Sequence, residues 1–420
     1  MILMHLLIAI FFSIYFVESN EIISSITQTN QSLCPYVLVK PDNPYSGRIE
    51  WVQGDKCARK CISPVWTEQE WNILHILNSC AMWIGLPLDV IVIFTWGFSH
   101  KKRKQYFVLS FAIFSLMIQI TMVLISFYPH EKVFCSSNAI AIGPEDGLTI
   151  CNAQSFIFLY GVNGASLSWM LQALDLFIIV ILRKNYSQKL KPVYLCIVFG
   201  VAFFITLTLY ITKSYGYQPG SVACMVSGIY ITFLIYLPVF LCLSIGAICI
   251  LSVIGKIVHH NISISTKTAV SASNSASSSE LYKMVKGAAL FVLSFFLLAF
   301  PVVAFRYYSY AHFHNGASFP LADMKSWEEC IFNYFDGDDA SWRSKCGVHP
   351  PRRIPFPLAI FQSLSAHGTA LLVSSTYLIQ PSVWKIWREW MGGGNSYAVG
   401  IISNSNRDRP SHASAYITSA

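Results

Sequence analysis

Hydrophobic residues gather into seven long runs separated by short polar gaps: roughly His75–Phe98, Tyr106–Phe127, Asn152–Leu182, Pro192–Tyr210, Met225–Ile254, Gly287–Phe305 and Leu358–Ile379. Each reaches the ~20 apolar residues that an α-helix needs to cross ~30 Å of hydrocarbon. A chain in lipid must satisfy its backbone internally, which helices and closed barrels alone achieve. The pattern therefore predicts an all-α membrane protein, a seven-transmembrane helix bundle over residues 74–380. A shorter run, Met1–Val17, ends at Glu18-Ser19. It reads as the core of a signal peptide over residues 1–19, although no basic residue precedes it. The competing reading is an extra, uncleaved helix.

The gaps alternate in charge, and that sets the expected orientation. After the first, third and fifth runs come Lys101, Lys102, Arg103 and Lys104, then Arg183, Lys184, Lys189 and Lys191, then Lys256, Lys267, Lys283 and Lys286. These gaps and the tail hold only Glu280, Glu389 and Asp408 as acids, whereas the opposite gaps mix signs, as in Glu131 beside Lys132. Excess Lys/Arg marks the cytoplasmic side. The N-terminus is expected outside and the C-terminus inside, in a multi-pass protein of the plasma membrane with membrane lipids as partners. The net charge of +8 is thus a topology signal. No basic patch interleaved with aromatics points to nucleic acid.

Cysteines follow the same division. Of twelve, Cys34, Cys57, Cys61, Cys135, Cys151, Cys224, Cys330 and Cys346 fall in the expected outside segments, and Cys80, Cys196, Cys242 and Cys249 within spans. An even set confined to the oxidising side reads as disulfides, with the pairing left open by spacing. The short ectodomain over residues 20–73 is too small to bury much of a core and should depend on such staples. Asn261–Glu280 and the tail over 392–420 are Ser-, Thr- and Asn-rich and read as flexible and solvated. Between them, residues 381–391 place Trp384, Ile386, Trp387, Trp390 and Met391 on one arc, with Lys385, Arg388 and Glu389 opposite. That spacing predicts an amphipathic interfacial helix.

Candidate chemistry is sparse. Asp89 and Asp175 are intramembrane charges and should face the bundle interior. Asp175 has two readings of equal weight: pairing with Lys283 or Lys286, or solvation near its helix end. His75 and His367 read as structural. Aspartyl intramembrane proteases need Tyr-Asp and Gly-x-Gly-Asp, but Asp89 follows Leu88 and Asp175 follows Leu174. A zinc hydrolase needs three protein ligands, and these spans offer two histidines. An enzyme, a cofactor and a resident metal are therefore not expected. Asp336-Gly337-Asp338-Asp339 lacks the distal Glu of a calcium loop and reads as a solvated acidic turn. A transporter or channel is the alternative function class, but the repeats and broken helices it calls for are not visible.

Cys57-x-x-x-Cys61, then Ser63-Pro64-x-Trp66-Thr67-x-x-Glu70 before the first run, resembles the hinge that precedes the Frizzled/Smoothened seven-helix domain. The likeness continues through Cys151, Trp169, Cys224, Tyr236-Leu237-Pro238, Cys242 and Pro301 to Trp390. It is similar in particular to the social-amoeba type that lacks the cysteine-rich domain. The resemblance implies a G-protein-coupled-type receptor, an extracellular ligand of unknown identity and a heterotrimeric G protein as partner. With only Cys34, Cys57 and Cys61 before the first run, it does not imply a lipidated Wnt ligand. Family tails open with Lys-Thr-x-x-x-Trp, the Dishevelled contact; here Ser382-Val383-Trp384-Lys385-Ile386-Trp387 keeps the final Trp alone, which argues against Dishevelled.

By similarity, the family pattern pairs Cys34 with Cys57, Cys61 with Cys135, Cys151 with Cys224, and Cys330 with Cys346. It places a basic residue under the sixth helix against an aromatic under the seventh, here Lys286 and Tyr377, where the family has Trp. Lys286 anchoring to headgroups is the competing reading. Lys101, Lys102, Arg103, Lys104 and Trp387 form the candidate cytoplasmic coupling surface. Asn30 begins an outside glycosylation sequon; Asn185 and Asn261 begin sequons expected inside and bare.

Overall fold

The computed structural model describes residues 34, 38–41, 51–52, 57–59, 61, 66–98, 106–126, 130–137, 139–147, 149–182, 187–217, 223–226, 230, 232–267, 321–335, 339–347, 355–378, 383–384 and 386–388. The sixth apolar run lies outside the described residues, as do residues 1–19, Asn30, Lys101–Lys104, Asn185, Lys283, Lys286 and the tail over 392–420.

The protein is mostly helical. Helices α1 (Glu68–Gly97), α2 (Tyr106–Ser126), α3 (His130–Phe134), α4 (Ile150–Val180), α5 (Ser187–Ile211) and α6 (Leu237–Lys267) follow one another, then α7 (Leu321–Tyr334), α8 (Asp339–Cys346) and α9 (Phe356–Leu378). Five of them, α1, α2, α4, α5 and α6, contain stretches long and apolar enough to cross a membrane. Helix α9 has 23 residues, about 34 Å of length.

Several boundaries differ from the hydropathy pattern, each for a local reason. Helix α1 starts at Glu68, ahead of His75, because Thr67 and Glu70 close a capping box. The Thr67 Oγ1 accepts from the Glu70 N–H at 3.1 Å, and Glu70 Oε2 accepts from the Thr67 N–H at 3.0 Å. Two orphan amides are thus satisfied where no earlier turn exists. The fifth run does not begin as helix at Met225. Tyr215–Tyr217 (β6) and Cys224–Val226 (β7) pair as an antiparallel hairpin there, a π-helical turn covers Thr232–Tyr236, and α6 opens at Leu237. At its far end α6 runs on through residues 261–267, so the first part of Asn261–Glu280 is helical. A formed helix adds one hydrogen bond per residue fixed, so it propagates past the apolar run that nucleated it.

Helix α4 is the hub, packed by α2, α5 and α6. Trp169 lies at its centre, fully buried. Two glycines let neighbours close in. A Cβ on Gly164 would sit 2.3 Å from the Phe114 ring, and one on Gly246 would sit 2.2 Å from the Trp169 ring. The small residues bring backbones close, and the rings fill the space created, which is how helices gain packing contacts in lipid.

At one end of the bundle lie the short strands. Leu38–Val39 (β1), Cys57–Arg59 (β3) and Trp51–Val52 (β2) form an antiparallel sheet in the order β1-β3-β2, and Cys135–Ser137 (β4) pairs with Ile140–Ala141 (β5). Helices α7 and α8 pack on each other at the same end.

Candidate functional site

All four disulfides gather at that end. Cys34 is joined to Cys57, Cys61 to Cys135, Cys151 to Cys224 and Cys330 to Cys346, with Cα–Cα distances of 5.8, 5.9, 5.3 and 5.9 Å. The second ties the hinge to β4, the third ties α4 to the β6–β7 hairpin, and the fourth closes α7 against α8. The segment before α1 does not rely on bridges alone. Cys34, Leu38, Cys57, Trp66 and Leu74 share a core with Trp327, Ile331 and Trp342 from α7 and α8. The Trp327 and Trp342 rings meet edge-on at 6.3 Å, and the Trp327 indole N–H donates to the Gly347 carbonyl at 3.2 Å. Helices α7 and α8 thus form a lid over the hinge, and the acidic stretch Asp336–Asp338 between them lies outside the described residues.

A polar seam runs along α1 and α9. The Asn78 amide donates to Ser363 Oγ, and the Ser374 hydroxyl donates to Asp89 Oδ1; both pairs are 285 residues apart in sequence. Equal separations mean that the two helices run parallel and in register. The buried Asp89 carboxyl finds partners in Ser374 on α9 and Ser115 on α2, and His75 Nδ1 pairs with Ser79 Oγ at 3.2 Å within α1.

Towards the opposite end the seam continues with the Trp387 indole N–H, which donates to Thr95 Oγ1 at 3.0 Å. Val383 and Ile386 are buried beside it, whereas Trp384 is 61% exposed. The interfacial arc is therefore split: Ile386 and Trp387 hold the protein, and Trp384 faces away from it. Tyr377 is buried, and its hydroxyl bonds the Gln172 carboxamide of α4 at 2.8 Å to Nε2 and 3.1 Å to Oε1. Asp175 lies half-buried on α4, three residues beyond Gln172.

Sequence reasoning weighed ionisable groups and passed over the neutral amides. Asn163 is the clearest case. Pro238 has no N–H to give the Leu234 carbonyl four residues back, and the Asn163 Nδ2 of α4 donates to that carbonyl at 3.0 Å. The signal was present as an Asn in one apolar run and a Pro in the middle of another. Among the described residues no group of three His, Cys, Asp or Glu side chains is placed to hold a metal ion.

No family model matches the chain. It is 25% identical over 223 residues to Frizzled/smoothened-like sans CRD protein A of Dictyostelium discoideum, covering 50% of this chain and 39% of that protein. It is 26% identical over 254 residues to Frizzled and smoothened-like protein A of the same organism, covering 58% and 41%. With sans CRD protein E the identity is 24% over 272 residues, covering 62% and 57%. The matched region thus spans about two-fifths of the first two relatives. At 24–26% identity, this multi-pass chain is thus similar to Frizzled- and smoothened-like proteins of Dictyostelium discoideum, sans CRD forms among them.

Proposed function

We propose that the chain is a seven-span cell-surface receptor that carries an extracellular signal to a heterotrimeric G protein. The observation that supports this best is the contrast between the two ends. The end with the hinge is held by four covalent bridges. At the other, Trp387–Thr95 and Tyr377–Gln172 are hydrogen bonds of 2.8–3.1 Å. A fixed sensing end and a reversibly tied working end suit a bundle that switches between two states.

Parity supports seven crossings. Helices α1, α2, α4, α5 and α6 are five consecutive crossings, so α6 ends on the side opposite to the one where α1 begins. Helix α9 runs parallel to α1 and starts beneath the hinge, where Trp66 meets Phe356 at 5.7 Å. The chain between Lys267 and Leu321 must then cross an odd number of times, and Gly287–Phe305 is the apolar run that fits. With excess Lys/Arg on the far side, the hinge is outside.

By the family resemblance Lys286, just ahead of that run and outside the described residues, would be the basic partner of Tyr377, whose hydroxyl bonds Gln172. A cation–π contact there is worth about 0.5–2 kcal/mol. The test is a coupling screen of the expressed chain against a panel of G proteins without added ligand. Lys286→Ala is expected to raise basal coupling a few-fold at equal surface expression. A chain at the surface that couples to none, with or without the substitution, would overturn the reading and favour a transporter.

A further inference from the structure

We propose that the cleft between α4 and α5 at the disulfide-bonded end binds a choline-headed lipid, with its tail in the cleft and its ammonium against Tyr210 and Glu145. The cleft has a volume of about 300 Å³ and is walled by Phe156, Ile157, Leu207 and Leu209, with Tyr210 and Tyr215 also lining it. That is at the small end of ligand pockets, room for one chain and not for a bulky ligand.

Its place in the fold says what it meets. Asn152, which lines it, is in the first turn of α4, and Tyr210 is in the last turn of α5. Both helices carry membrane-spanning stretches. The cleft therefore lies where acyl chain gives way to headgroup in the leaflet on that side. Tyr210 is 54% exposed and Ile211 71%, so this wall faces lipid.

The rim carries the chemistry for a cation. The Tyr210 and Tyr215 rings stack with centroids 5.8 Å apart and planes within 9°. The Tyr215 phenol is pushed above its ordinary range by burial first, then by Tyr210 and the Glu145 carboxylate, so it stays neutral beside that charge. Glu145 sits on a loop with fixed geometry: Asp146 Oδ2 accepts from the Gly143 N–H at 2.8 Å, Asn152 Nδ2 donates to the Gly143 carbonyl at 3.2 Å, and the Tyr217 N–H donates to the Ile142 carbonyl at 3.0 Å. The outer face of Tyr210 is open, the Glu145 carboxylate acts on the Tyr215 phenol stacked behind it, and an aromatic face with a carboxylate nearby suits a quaternary ammonium.

The full chain would be purified and equilibrated with equal amounts of lauroyl lysophosphatidylcholine and lauroyl lysophosphatidylglycerol, and retained lipid read by native mass spectrometry. The choline form is expected to be retained about tenfold better. Tyr210→Leu and Glu145→Gln should each bring the two towards parity. Ala153→Trp, which fills the cleft, should remove both, with an unchanged melting temperature as the check on folding; Leu207→Phe fills it from α5 should that variant not fold. Equal retention of the two headgroups by the wild-type chain, or undiminished retention in the filled variants, would overturn the proposal and leave only non-selective surrounding lipid.

Discussion

Asn163 shows how one residue can secure a proline in the membrane. The Leu234 carbonyl lies in the π-helical turn ahead of α6, and Pro238 has no N–H to offer it. Replacing Asn163 with Leu leaves that oxygen buried and unpaired, at a cost of about 1–3 kcal/mol. The cost should shrink by about 1 kcal/mol or more when Pro238→Ala returns the missing N–H. Thermal unfolding of the two single variants and the double variant measures this coupling. Additive effects would show that Asn163 serves some other contact. Asp89 makes the complementary point. Its charge predicted burial, but its partner Ser374 lies 285 positions away, a distance no local pattern reports.

For whole elements, packing of α6 on α4 turns on one hydrogen atom. Gly246→Ala drives a methyl into the Trp169 ring at 2.2 Å. Overpacking of this kind costs about 1–3 kcal/mol. The expected result is a lower melting temperature, recovered in part by Trp169→Leu, which vacates the space. No loss in the single variant would mean that the helices separate freely.

Five of the seven runs were legible as helices able to cross a membrane because length and hydropathy alone specify them, and α2 and α9 begin and end within two residues of their runs. The α7–α8 pair was not, because each helix is too short to stand out by periodicity. Trp327 and Trp342 acquire their meaning by covering the hinge. That lid also gives a chemical prediction. Under denaturing, non-reducing conditions an alkylating reagent should label the four free cysteines, Cys80, Cys196, Cys242 and Cys249, and spare the eight in bridges. Labelling of Cys330 or Cys346 without reductant would mean that the bridge between α7 and α8 is not formed.

For the molecule as a whole, topology is open to a direct check. Glycan is expected on Asn30 and on neither Asn185 nor Asn261, as read by enzymatic deglycosylation and mass mapping. Glycan on Asn261, which lies on the helical extension of α6, would invert the bundle. The parallel register of α1 and α9 limits how that bundle can move. Its two polar pairs recur at the same offset, so sliding either helix along the other by a single residue, about 1.5 Å, misaligns both pairs at once. Tilting about the line of contact misaligns neither. The pair therefore acts as a keyed joint that resists piston strokes of one helix against the other.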